Sequence, residues 1–164
     1  MIELKWMSTR IEKVGIIVKY FDYAATCPLD QEAAEVYVKA ATNYFGNTRS
    51  LHDIGSEAAT LLENCRTKLA NLMNVSPDGL YFTSGGSESN YLAIQSLLSG
   101  TKKKGNHVIV GMAEHSSVNG TFQKLEENGY EVTPIPYNEQ GRLDLSVFRQ
   151  AVKDATVLVS LQFV

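Results

Sequence analysis

An α/β fold with a mostly parallel sheet flanked by helices is what this sequence predicts, and three observations predict it. Short apolar runs rich in β-formers alternate with longer amphipathic ones. From Leu80 onward the order reads strand, helix, strand, helix, strand, helix, strand, the succession that covers a parallel sheet with helices through right-handed crossovers. Two loops, 84–87 and 112–116, follow the first two strands of that series, at the carboxyl ends where such sheets hold their ligands.

The elements follow in order. The first apolar run is 18–21. Pro28 then stands where a helix can start, and 32–44 places Ala33, Val36, Tyr37, Ala40 and Tyr44 at helical spacing until Gly46 and Asn47 stop it. A second helix is expected over 56–74, with Ala58, Leu61, Leu62, Cys65, Leu69 and Leu72 in one apolar stripe. Pro77, Asp78 and Gly79 turn the chain into a strand at 80–83, and a glycine turn at 84–87 leads into a helix over 88–99. After a basic loop at 102–105 come a strand at 107–111, a helix over 116–128, a strand at 130–135, a turn at 138–141, a helix over 145–152 and a last apolar strand at 156–164. That last run is too apolar for an exposed edge and predicts a continuation beyond Val164.

Composition narrows the class. A chain of 164 residues is one domain or a large part of one. With 44% apolar and 20% charged residues it has the makeup of a globular protein that needs no disulfide or metal staple. Fifteen basic against 18 acidic residues leave a net charge of −3, which argues against nucleic acid as partner. No apolar run approaches a membrane span or a signal segment, and two cysteines without ligand spacing suit a reducing compartment. The expectation is a cytoplasmic chain with no membrane association and no metal site.

The strongest chemical signal is Phe82-Thr83-Ser84-Gly85-Gly86-Ser87-Glu88-Ser89-Asn90. A strand that ends in two glycines and hydroxyls as a helix begins turns free amides and the helix dipole toward one point, an anion site whose usual occupant is phosphate. The alternative is that Ser84 or Ser87 caps the helix and the glycines serve the turn. Neither GxGxxG nor a Gly-Lys-Ser/Thr P-loop is present, which disfavours a plain nucleotide-binding domain. His115, in Ala113-Glu114-His115-Ser116-Ser117, is expected in the same crevice, where an imidazole can stack on a flat ligand or carry protons. His107 and His52 read as structural, Cys27 as inert, Cys65 as core, Arg49 as solvent-exposed and Lys102 to Lys104 as a solvated face.

These strings, together with Tyr20-Phe21-Asp22-Tyr23-Ala24-Ala25-Thr26 and Tyr44-Phe45-Gly46-Asn47 with Ser50-Leu51-His52, resemble the cysteine desulfurases of the iron-sulfur cluster assembly type. The resemblance covers 20–164 and leaves 1–19 as an unmatched extension in which Met7 is an alternative start. It implies the aspartate aminotransferase-like fold (fold type I), with 20–164 as the N-terminal part of the large domain that binds pyridoxal 5'-phosphate. It also implies conversion of L-cysteine to L-alanine, a sulfur acceptor or scaffold protein as partner, and a homodimer. By the same resemblance Gly86 and Ser87 hold the cofactor phosphate, His115 stacks on the pyridine ring and assists proton transfer, and Ala24, Ala25 and Thr26 line the substrate side.

The sequence departs from the family pattern at Ser87 and Cys27 (usually threonine), Tyr91 (usually asparagine) and Thr48-Arg49 (usually proline-serine). No lysine here stands in the family's Ser-x-His-Lys context, so the expectation is a truncated chain, inactive alone. Two other readings stay open: a non-catalytic remnant that binds a phosphate-bearing ligand or a partner subunit, and a related selenocysteine lyase or class V aminotransferase.

Overall fold

A computed structural model describes residues 10–13 and 16–162, with side chains from residue 19. The chain divides into two compact units, the first ending at Leu80 and the second starting at Tyr81.

In the first unit β1 (Arg10–Lys13) and β2 (Ile16–Lys19) pair antiparallel, with Ile11 opposite Val18. The run expected at 18–21 thus begins two residues earlier and ends at Lys19. Helix α1 (Gln31–Asn43) starts where the Asp30 carboxylate accepts the Ala33 amide at 3.0 Å. Helix α2 (Asp53–Met73) starts at His52, whose Nδ1 accepts the Gly55 amide at 3.1 Å. It ends on Asn74 at φ 55°, a left-handed cap that asparagine tolerates. Pro77–Gly79 forms a 3-10 turn, and the Arg66 guanidinium donates to the Leu80 carbonyl behind it.

The apolar stripes expected along these helices are not core. No residue of α1 is buried, and of α2 only Gly55, Ala58 and Ala70 are. Val36 is 62% and Leu72 83% exposed, and Cys65, expected in the core, is exposed as well. A helical stripe becomes core only when a second layer closes on it, and the two-stranded ribbon of this unit is too small to be that layer.

The second unit is built on a parallel sheet in the order β4-β3-β5: β3 (His107–Gly111) at the centre, β4 (Glu131–Ile135) on one side and β5 (Thr156–Ser160) on the other. Helices α3 (Gly86–Gly100), α4 (Ser116–Glu127) and α5 (Leu145–Ala151) alternate with the strands. All five residues of β3 are buried, which is why it reads as an unbroken apolar run. Val108 and Val110 meet Ile94 of α3 and Val118, Phe122 and Leu125 of α4, the last three at helical spacing, to form the core. The run ending in Val159 and Leu161 lies at the sheet edge, half-exposed, so its apolar character is only partly satisfied there. Residues 163–164 of the expected last strand lie outside the described residues. The segment 80–83, expected as a strand, is irregular: among the described residues the sheet has three strands, and this segment pairs with none of them. No helix among the described residues is long and apolar enough to cross a membrane.

His107 fastens the three strands where they begin. The Lys153 amide donates to Thr156 Oγ1 at 2.8 Å, leaving that hydroxyl's own proton for His107 Nδ1 at 2.7 Å. With Nδ1 accepting, Nε2 carries the proton and donates to Thr133 Oγ1 at 2.8 Å. Burial, and then the charge of Lys153, hold this imidazole below its ordinary pKa, with Glu131 opposing. The folded ring is therefore neutral, while the unfolded ring protonates near the ordinary value of about 6.5. Its contribution to stability is complete above that value and is lost as pH falls below it. The melting temperature should drop from pH 7 to pH 5, with a shallower slope in His107→Gln; equal slopes would remove His107 as the source. In urea unfolding, Phe122→Ala should cost about 3–5 kcal/mol, because that side chain is 2% exposed. Phe45→Ala, at a ring 71% exposed, should stay within about 0.5 kcal/mol.

Candidate active site

The glycine turn leads straight into α3. Its N-cap is Gly85, in extended backbone with no side-chain cap, so neither Ser84 nor Ser87 plays the capping part. Instead Thr83 Oγ1 donates to the Gly85 carbonyl at 3.2 Å and pairs with Ser89 Oγ at 2.6 Å, bracing the turn from outside. The Ser84 amide donates to the Glu88 carboxylate at 2.6 Å, and this amide, with the Ser84 hydroxyl, holds the Glu88 pKa below the usual carboxylate range. The first amides of α3 have no partner within the helix, and a Cβ placed on Gly85 or Gly86 would meet nothing within 4 Å. The space beside both glycines at the positive end of the helix is thus open.

Ser87 lines a cavity of about 300 Å³ together with Tyr91, Ser116, Ser117, Gly120, Thr121 and Lys124. Two helix starts, α3 and α4, border this space, and the Lys124 ammonium lies 5.9 Å from the centre of the Tyr91 ring. The structure therefore brings the expected phosphate turn together with the helix that His115 begins.

His115 is the N-cap of α4. Its Nδ1 accepts the Ser117 amide at 3.2 Å and lies 2.8 Å from Ser117 Oγ, which leaves Nε2 as its outward nitrogen. The loop beneath it is held by Ser160 Oγ of β5 donating to Glu114 Oε1 at 2.9 Å, and by Asn119 Nδ2 donating to the Glu114 carbonyl at 2.9 Å. The imidazole thus stands at the carboxyl end of the central strand, as the α/β pattern requires.

Ala24, Ala25 and Thr26 lie in the first unit as an exposed turn. The Ala25 and Thr26 amides donate to the Asp22 carbonyl at 3.1 and 3.3 Å, and Tyr20 Oη lies 2.9 Å from the carbonyls of Asp22 and Thr26. Cys27, Arg49 and Lys102 to Lys104 are exposed, and His52 is a helix cap. Among the described residues no group of three His, Cys, Asp or Glu side chains is placed to hold a metal ion.

Sequence reasoning missed the side chains that join the two halves of the site. Asn90 Nδ2 of α3 donates to Ser117 Oγ of α4 at 2.8 Å. One signal was available: Asn90 follows Ser87 by three positions and so shares its helix face.

An open glycine turn, a helix start without a side-chain cap and a hydroxyl are features that suit an anion, and His115 opens the helix that borders the same cavity. Comparison with known proteins places the chain in a family. A putative cysteine desulfurase NifS of Bacillus subtilis (strain 168) is 46% identical over 143 residues, which cover 87% of this chain and 36% of that protein. The cysteine desulfurase IscS of Neisseria meningitidis serogroup C (strain 053442) is 40% identical over 146 residues, 88% of this chain and 36% of that one. The chain thus spans little more than a third of the length of the curated relatives it matches. Among solved structures, a NifS-like protein superposes with a TM-score of 0.75 at 29% identity, covering 82% of this chain and 37% of that one. SspA in complex with cysteine superposes with a TM-score of 0.75 at 30% identity, covering 87% and 41%. The fold is the aspartate aminotransferase-like, type I arrangement expected from the resemblance, of which this chain carries part. The model of the class-V aminotransferases matches residues 19–164, and the chain belongs to that family.

Proposed function

We propose that this chain supplies the phosphate-holding part of the pyridoxal 5'-phosphate pocket of a cysteine desulfurase acting on L-cysteine. The observation that carries the reading is the start of α3, left without a side-chain cap and open over Gly85 and Gly86, beside the helix that His115 begins. The similarity to cysteine desulfurases, and the relative in complex with cysteine, favour this reaction over that of other class-V enzymes.

In this reading the amide of Gly86 and the hydroxyl of Ser87 bind the phosphate, and the dipole of α3 adds to their attraction. The His115 ring would hold the cofactor's ring by stacking, with its proton at Nε2. When bound, the cofactor supplies the electron sink for breaking bonds at the amino acid's α-carbon. Since no lysine here stands in a Ser-x-His-Lys context, the chain on its own binds the cofactor without turnover. A second copy of the protein and a sulfur acceptor or scaffold protein complete the reading.

Cofactor binding tests it. Ser87→Ala should weaken pyridoxal 5'-phosphate binding about tenfold or more, the loss of a hydrogen bond to a charged group, while leaving binding of pyridoxal, which lacks the phosphate, unchanged. Equal affinities for the phosphate form in the native and variant chains would count against the assignment. Gly86→Ala should keep the melting temperature, since its methyl meets no protein atom, yet lose phosphate affinity. Incubation with cofactor and L-cysteine should release no alanine; stoichiometric alanine would overturn the binding-without-turnover claim.

A further inference from the structure

We propose that Asn90 and Ser117 are positioning residues that decide which nitrogen of His115 carries the proton. The inference rests on the reading that His115 faces the cofactor, and it adds a control on that residue from the helix that binds the phosphate.

The argument follows the direction of each hydrogen bond. The Asn90 side-chain nitrogen only donates, and at 2.8 Å its partner is Ser117 Oγ, which therefore accepts. The Ser117 hydroxyl has one proton of its own, and 2.8 Å away stands His115 Nδ1. The Ser117 amide, also only a donor, points to the same nitrogen at 3.2 Å. Two donors thus converge on Nδ1, which must present its lone pair, so the proton of the neutral ring sits on Nε2. The hydrogens are assigned from this network. Asn90 is half-buried and sits one turn beyond Ser87 on α3, so the helix that would seat the phosphate also sets the polarity of the imidazole's partner. Reversing Asn90 should reverse that polarity: an aspartate there accepts, draws the Ser117 proton to itself and withdraws one donor from His115.

Nitrogen-15 shifts of the His115 ring, recorded on the full chain at a pH where the ring is neutral, read the tautomer without need of activity. The native chain should show Nδ1 as an unprotonated acceptor and Nε2 as protonated. Asn90→Asp and Ser117→Ala should each raise the ratio of Nδ1-protonated to Nε2-protonated ring roughly tenfold, as for the loss of one hydrogen bond. Ser117→Thr, which keeps the hydroxyl, should restore the native ratio. A native ring protonated at Nδ1 overturns the proposal outright, as does an unchanged ratio in both variants whose amide spectra remain native. Addition of pyridoxal 5'-phosphate separates the two readings. If the variants shift the tautomer while the cofactor leaves the His115 resonances unmoved, the relay stands and the cofactor-facing role fails. If the cofactor moves them and the variants do not, the relay fails and the site stands.

Discussion

The second unit depends on β3 being paired on both sides. A strand with all five residues buried must satisfy every amide and carbonyl in its ladders, and here β4 and β5 do so in parallel register. Parallel pairing sends all three carboxyl ends to one edge, which is where Glu114 reaches Ser160 and where His115 opens α4. The same strand supplies Val108 and Val110 to the face that α3 and α4 cover, so the two helix starts that frame the site are placed by the core beneath them. At the opposite edge His107 ties β3 to Thr133 and Thr156, holding the register of all three strands.

How much of this could be read in the sequence depended on where the determining contacts lie. The strand His107–Gly111 and the helix from Ser116 were legible because their apolar residues meet partners within the same unit, and periodicity reports burial faithfully there. The stripes of α1 and α2 have the same periodicity without the burial: Val36, Leu72 and Cys65 are exposed because amphipathic spacing states which face would be covered and not whether a cover is present. The segment 80–83 failed for a related reason. Its residues favour a strand, but a strand is a relation between two segments, and the three-stranded ladder does not include it.

At the site the balance is similar. Gly86, Ser87 and His115 could be singled out as candidates because each stands in a local pattern, a glycine turn before a helix or a polar residue after a buried strand. Asn90 and Ser117 are 27 residues apart, and only the packing of α3 on α4 brings them together. Nor did the sequence reveal that Ser117 spends both its amide and its hydroxyl on one imidazole nitrogen.

The start of α3 has a further consequence. A helix end with glycine at its N-cap and no side-chain acceptor forgoes roughly a few tenths of a kcal/mol that a serine or aspartate would supply there. An anion seated on the same amides would take over the duty of the missing cap, so its binding energy and the order of the first turn would be one quantity counted from two ends. Occupancy would then act as a fold stabiliser by mass action, and loss of the ligand would be felt first as fraying at Gly85 and Gly86.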